Sequence, residues 1–310
     1  DIAGIDVGLE DISHPDENTM EATLEHLACC HLVYGQRDDL IHVRKPADID
    51  RGRRENKPCS VWHSAAAGAY AEAEDPLRNL DILFGLGVRM FQITYIQKNR
   101  LCCSWLQGDD TGLTEQGRAV VRRLNELGGM VDLAHCGDRS ALEIIEASSE
   151  PVMISHTGCR AVYDDASEPT YLNAILEQPY ARGVPRPERT GSRNASDEVI
   201  RAVADRGGVI GIYVLGYVLG QEPAPFDLWF RHIEHAIEVA GIDHVVVGSD
   251  MSFFPTWAPM AMDWTNWPYW TVGMVCRGMS DDDIRKVIGG NYLRHLRHVL
   301  DKQPWGEFIL

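Results

Sequence analysis

The sequence predicts an α/β fold and, within that class, a TIM-type (β/α)8 barrel. Short apolar runs of strand length alternate with longer segments of helical periodicity, the pattern of a parallel sheet with crossover helices. The apolar runs are nearly unbroken, as in Val209-Ile-Gly-Ile-Tyr213 and Val245-Val-Val247, which a sheet covered on both faces requires. A polar side chain capable of chemistry ends strand after strand: His63, Tyr95, His135, His156 and Asp250. In a closed barrel all strand C-termini converge on one mouth, whereas an open sheet gathers ligands mainly at one switch point. That distribution favours the barrel.

In chain order the predicted strands are Ala3–Leu9, Leu40–Val43, Ser60–His63, Met90–Ile96, Gly129–His135, Val152–His156, Gly208–Leu215 and His244–Met251. Helices are expected over Asn18–Tyr34, Pro76–Leu86, Thr114–Leu127, Arg139–Ala147, Asp197–Arg206 and Phe226–Ala240. Thr114 before Glu115 and Ser196 before Asp197-Glu198 are start signals, while Gly128-Gly129 and Gly207-Gly208 are stops. Residues 1–310 read as a single barrel domain. Two stretches break its rhythm and are placed at the barrel mouth: a long Pro-, Glu- and Arg-rich loop over 163–193, and an aromatic segment over 253–270 with Trp257, Trp264, Trp267 and Trp270. The tryptophans serve either as core and interface or as an aromatic pocket or dimer contact, leaving a homodimer open.

Composition narrows the partners. Among 310 residues, 46 are acidic and 29 basic, a formal net charge of −17 that repels phosphate backbones and anionic lipid. Nucleic acid and membrane are therefore not expected as partners. No apolar stretch is long enough for a membrane span and no signal peptide opens the sequence, so a cytoplasmic location is expected. The 8 cysteines lack the spacing of a disulfide scaffold, a zinc ribbon or a CxxC motif and read as reduced thiols. No GxGxxG follows the first strand and no GxxxxGK[ST] occurs, which removes the usual support for a nucleotide cofactor.

The strands Val131-Asp-Leu-Ala-His135 and Val152-Met-Ile-Ser-His156 each end in a histidine. On neighbouring barrel strands two imidazoles with a carboxylate make either a metal site or an acid–base site, and Asp250 ends a third apolar strand where ionisation needs a cation or donors. Lone histidines at strand ends are also commonly structural.

The series Gly87-Val-Arg-Met-Phe-Gln-Ile-Thr-Tyr95, Gly112-Leu-Thr-Glu-Gln-Gly-Arg118, Val131-Asp-Leu-Ala-His135, Pro151-Val-Met-Ile-Ser-His156, Arg193-Asn194, Gly248-Ser-Asp250 and Gly289-Gly-Asn291 resembles the membrane (renal) dipeptidase family. The resemblance runs from about Gly87 to Leu293, and more loosely from the N-terminus. It implies an amidohydrolase-like barrel with two bridged zinc ions that activate water against a dipeptide amide. It matches His135 and His156 to imidazole ligands of the second metal, Arg193 to the arginine that holds the substrate carboxylate, and Asp250 to a proton-transferring carboxylate.

The sequence departs from that pattern in three places. No His-x-Asp pair stands on an N-terminal strand, so the chain is expected to begin after that strand or without it; no glutamate stands near Trp62-His63; and Tyr95 takes the place of a substrate-polarising histidine. The expectation is a reduced site, a divergent branch lacking the first metal, with one zinc held by His63, His135 and His156. Iron on two histidines and Asp250 is an alternative, as is a metal-free site, and His63 also reads as a buried structural residue. Cys136 and Cys159, close to the two histidines, read as small hydrophobes or else as ligand or nucleophile. The expected function is hydrolysis of a dipeptide or small carboxylate-bearing amide, with Asp250 and Tyr95 catalytic and Arg193 and Tyr95 binding substrate. The alternative is non-peptidase acid–base chemistry on a small acid, such as elimination, isomerisation or ring opening. A non-catalytic binding role is the third option.

Overall fold

The computed structural model describes residues 7–12, 19–96, 98–106, 109–166, 191–221, 224–250 and 267–302. The chain forms two compact units, one of Ile5–Ser104, Asp110–Pro151 and Leu296–Leu310, the other of Asp1–Gly4, Trp105–Asp109 and Val152–His295. Most of the loop over 163–193 and most of the aromatic segment over 253–270 lie outside the described residues.

The first unit runs β1 (Val7–Asp11), α1 (Met20–Gly35), β2 (Ile41–His42), α2 (Pro46–Glu55), β3 (Cys59–Ser64), α3 (Gly68–Ala71), α4 (Pro76–Gly85), β4 (Val88–Gln92), α5 (Glu115–Leu127), β5 (Met130–Asp132) and α6 (Asp138–Ala147). Its strands are parallel: β3 lies between β1 on one side and β2 and β4 on the other, and β4 pairs with β5. The parallel register sets Asp11 beside His63 and Gln92 beside Asp132, so polar residues share one end of these strands. β3 and β4 are buried at every position, including the polar residues Ser60, His63, Arg89 and Gln92.

The helices start where side chains satisfy their free N–H groups. Thr114 Oγ1 accepts from the Gly117 amide at 3.0 Å and Asp75 Oδ1 from the Arg78 amide at 3.0 Å, with Pro76 at the first helical position of α4. Helix α2 was not expected from the sequence. It is largely polar, burying only Ile49 and Gly52, so no apolar stripe reveals it. Its start is marked instead by Pro46 and by Asp48, whose Oδ2 accepts from the amides of Arg44 and Lys45.

The N-terminal strand expected from the sequence is present: β1 pairs with β3 along its whole length. It ends on Asp11, two residues beyond the end the sequence pattern gives it.

The second unit runs β6 (Met153–Thr157), α7 (Asp197–Asp205), β7 (Val209–Ile212), α8 (Gly216–Leu219), α9 (Phe226–Ala240), a 3-10 turn (Ile242–His244), β8 (Val245–Val247), α10 (Pro268–Cys276), α11 (Asp281–Arg285), a π turn (Lys286–Gly290) and the start of α12 (Asn291–Leu300). Strands β6, β7 and β8 are parallel neighbours in that order. The register of β6 against β7 shifts between Ile154 and Thr157. There the Ser155 carbonyl is driven toward the neighbouring strands: a Cβ on Gly211 or Gly248 would lie 2.1 Å from its oxygen, so both positions require glycine. Irregularities of this kind re-aim side chains, and His156 sits in this one. No helix among the described residues is long and apolar enough to cross a membrane.

Candidate functional site

In the first unit, His63 is the penultimate residue of β3 and Asp132 ends β5, both buried. His63 Nε2 stands 3.2 Å from Asp132 Oδ2 but makes no hydrogen bond, so the two groups meet as a close polar contact off hydrogen-bond geometry. Asp132 Oδ1 accepts from the Ala134 amide at 3.0 Å, which holds the turn leading to His135. His135 has φ +68°, a left-handed conformation few non-glycine residues adopt. Tyr95 packs on it with ring centroids 4.6 Å apart and planes tilted by 46°. Asp11 Oδ1 accepts from the Ala65 amide at 3.2 Å just beyond β3.

In the second unit, His156 Nδ1 and Ser155 Oγ are hydrogen-bonded at 2.6 Å, which fixes the ring and leaves Nε2 toward Asp250 Oδ2 at 3.9 Å, longer than a hydrogen bond. Asp250 is itself at φ +50°. Of the three non-glycine residues with positive φ among the described residues, two are therefore candidate site residues, and the third, Asn56, ends helix α2. Backbone strain of this kind tends to collect at functional positions.

Arg193 is only 5% exposed. Its guanidinium lies over the Tyr213 ring and donates from Nη2 to the His156 carbonyl at 3.4 Å. Among the described residues it meets no carboxylate side chain.

The structure thus brings His63, His135 and Tyr95 into one unit and His156, Arg193 and Asp250 into the other. Asp132 and Tyr213 were in view as members of sequence motifs without being assigned roles. Ser155 likewise lay inside a sequence motif, whereas Asp11 carried no distinguishing signal, because its role arises from a contact across strands.

The thiols of the two cysteines beside the histidines are both held above their ordinary range. Cys159 is buried and donates to the His232 carbonyl at 3.3 Å, and burial pushes its thiol up to about 12. Its backbone amide donates to His232 Nδ1 at 2.9 Å, making His232 a structural partner. A hydrogen bond with Cys102, and then burial, hold the Cys136 thiol well above its ordinary range. Trp270 meets Trp229 edge-on at 4.1 Å in the core, while Trp257 and Trp264 lie outside the described residues.

As to a metal, the exposed chemistry is mixed. His63 Nε2, a buried nitrogen without a hydrogen bond, suits a cation, and imidazoles are favoured ligands for zinc. Among the described residues, however, no three His, Cys, Asp or Glu side chains are grouped to hold an ion.

The family model of the membrane dipeptidases (peptidase family M19) matches residues 10–169 and 182–303. The dipeptidase tcpJ of Claviceps purpurea is 26% identical over 273 residues, which cover 87% of this chain but only 57% of that protein. The chain thus spans little more than half the length of that relative. Among solved structures, an amidohydrolase from Pseudomonas aeruginosa superposes with a TM-score of 0.76 at 24% identity, covering 97% of this chain and 90% of the other. A metallo peptidase from Rhodobacter sphaeroides, liganded with a phosphinate mimic of the dipeptide L-Ala-D-Ala, superposes with a TM-score of 0.74 at 20% identity, covering 96% and 88%. These likenesses establish the fold as α/β, of the TIM-barrel type.

Proposed function

The chain belongs to the membrane dipeptidase family, and from that membership we propose that it is a hydrolase of a small amide bearing a carboxylate, a dipeptide being the simplest case. The observation that carries this reading is the buried Arg193 guanidinium, which meets no carboxylate among the described residues. A planar fork in this state is suited to take a substrate carboxylate in two parallel hydrogen bonds.

The remaining groups divide the work. Tyr95 donates a hydrogen bond to the scissile carbonyl oxygen as negative charge develops on it. Asp250 accepts a proton from the attacking water and returns it to the leaving amine. A zinc ion, as membership of the family implies, would draw on the imidazoles of His63, His135 and His156, which as they stand form no three-donor group. When bound, such an ion supplies the positive charge that makes water a competent nucleophile near neutral pH.

The test is hydrolysis of a panel of dipeptides before and after chelation. Activity that disappears with chelator and returns with zinc supports the reading; a chain that cleaves no carboxylate-bearing amide, zinc supplied, sinks it. A second reading is metal-free acid–base chemistry on a small acid, for which the Tyr95–His135 and His156–Asp250 pairs supply acid and base groups. It requires turnover that chelation leaves untouched.

A further inference from the structure

Arg193 follows a long excursion of the chain, and a single buried carboxylate closes the base of that excursion. Asp165, fully buried, lies 27 positions before Ser192 and accepts from the Ser192 hydroxyl. Both its oxygens accept from the Arg193 amide, at 3.0 Å each, and Oδ1 accepts from the Asn194 amide at 3.2 Å. Three consecutive residues are thereby tied to one side chain. Nearby, a Cβ on Gly191 would stand 1.7 Å from the Trp105 carbonyl oxygen, so the chain enters this turn pressed against backbone. Asn194 is held from beyond as well, its Nδ2 donating to the carbonyls of Tyr163 at 2.8 Å and Val218 at 2.7 Å.

We propose that Asp165 is a positioning residue for substrate binding: by holding the Ser192-Arg193-Asn194 backbone it fixes the point from which the Arg193 guanidinium reaches the substrate carboxylate. The proposal rests on the carboxylate-clamp reading of Arg193. Closing a long connection without such a tie costs conformational entropy and leaves its end residues free to wander. A displacement of about 1 Å in a positioning group is enough to weaken binding or catalysis severely. Arginine is sensitive to this because its value lies in directed, paired hydrogen bonds.

The test compares wild type, Asp165→Asn, Ser192→Ala and Arg193→Lys on a dipeptide and on the same dipeptide amidated at its C-terminus. Asparagine keeps one acceptor but turns an amide donor toward N–H groups. In Asp165→Asn the KM for the dipeptide should rise about tenfold while kcat stays within about threefold, and kinetics on the amidated substrate should be unchanged. Hydrogen exchange at the Arg193 and Asn194 amides should quicken in that variant, while exchange in β6 stays as in wild type. Ser192→Ala, which removes one donor and leaves the carboxylate, should show the same KM effect at a few-fold; it carries the test if Asp165→Asn does not fold.

A wild-type KM in Asp165→Asn, or unchanged exchange at those amides, overturns the positioning role if Arg193→Lys still raises KM. An equal loss on both substrates also overturns it, because a purely structural defect would not distinguish them. If Arg193→Lys and Asp165→Asn both handle the two substrates as wild type does, the clamp reading fails and the proposal fails with it.

Discussion

The Arg193 guanidinium carbon stands 4.9 Å from the centre of the Tyr213 ring, and the same ring meets His156 edge-on at 5.0 Å. One buried aromatic thus supports both the candidate carboxylate-binding group and a candidate imidazole. Stacking on an aromatic face and paired hydrogen bonding are properties of arginine that lysine lacks. Arg193→Lys should raise KM for a carboxylate-bearing substrate about tenfold or more with a smaller change in kcat. Steady-state kinetics check this, and equal KM values remove the clamp.

Tyr95 should act through its hydroxyl. Tyr95→Phe keeps the ring against His135 and removes only the donor, so kcat should fall roughly a hundredfold to a thousandfold, about 2.7 to 4 kcal/mol of transition-state stabilisation. An unchanged kcat would make the ring a packing element.

His135 and His156 should each be required for activity and dispensable for the fold. Because His135 sits at φ +68°, alanine there would add backbone strain, whereas asparagine tolerates that conformation better. His135→Asn and His156→Ala should each lower kcat/KM at least about a hundredfold, with melting temperatures within about 4 °C of wild type. Near-normal turnover in either variant places the site elsewhere.

Metal content should be about one ion per chain, because the position opposite Asp11 is the imidazole of His63 and not a carboxylate that could bridge two cations. Elemental analysis of zinc-equilibrated protein decides it. Two tightly held ions would refute the reduced site.

Stability should fall in mild acid. Burial, with the nearby Arg44 charge, lowers His42 from its ordinary 6.5 to about 3, and burial lowers His232 to about 4. Below 6.5 the unfolded chain takes up protons that the folded chain refuses, so this stability is complete above pH 6.5 and lost as pH falls toward the folded values. Each histidine contributes a slope of about 1.4 kcal/mol per pH unit in that window. His42→Gln, which can keep the hydrogen bond from Nε2 to the Gly87 carbonyl, should lessen the slope of urea-derived stability between pH 6 and 5 by about that amount. A slope equal to wild type would assign the acid sensitivity to other groups.

Much of the fold was legible because the signals are local. The apolar runs around Val61, Met90, Val131, Ile154, Ile210 and Val246 all fall in strands, and the capped helices after Thr114 and Ser196 begin at the expected residues. Helix α2 and the helices after Pro268 escaped notice, α2 because its buried face is too narrow to impose a period. For the candidate site, the sequence pointed to the histidines because they lie at or just beyond the ends of strands, but nothing local distinguished Asp165 from its neighbour Asp164.

By itself the sequence determined the alternation of strand and helix, the parallel sheet and the family, since these depend on hydrophobic period, caps and motif order along the chain. Tertiary structure alone decided that Asp132 faces His63, that Asp165 grips Arg193 27 or more positions away, and that Cys159 is a buried partner of His232. Those outcomes depend on register, loop closure and burial. Each is set by groups that meet only after folding, and no window of neighbouring residues contains them.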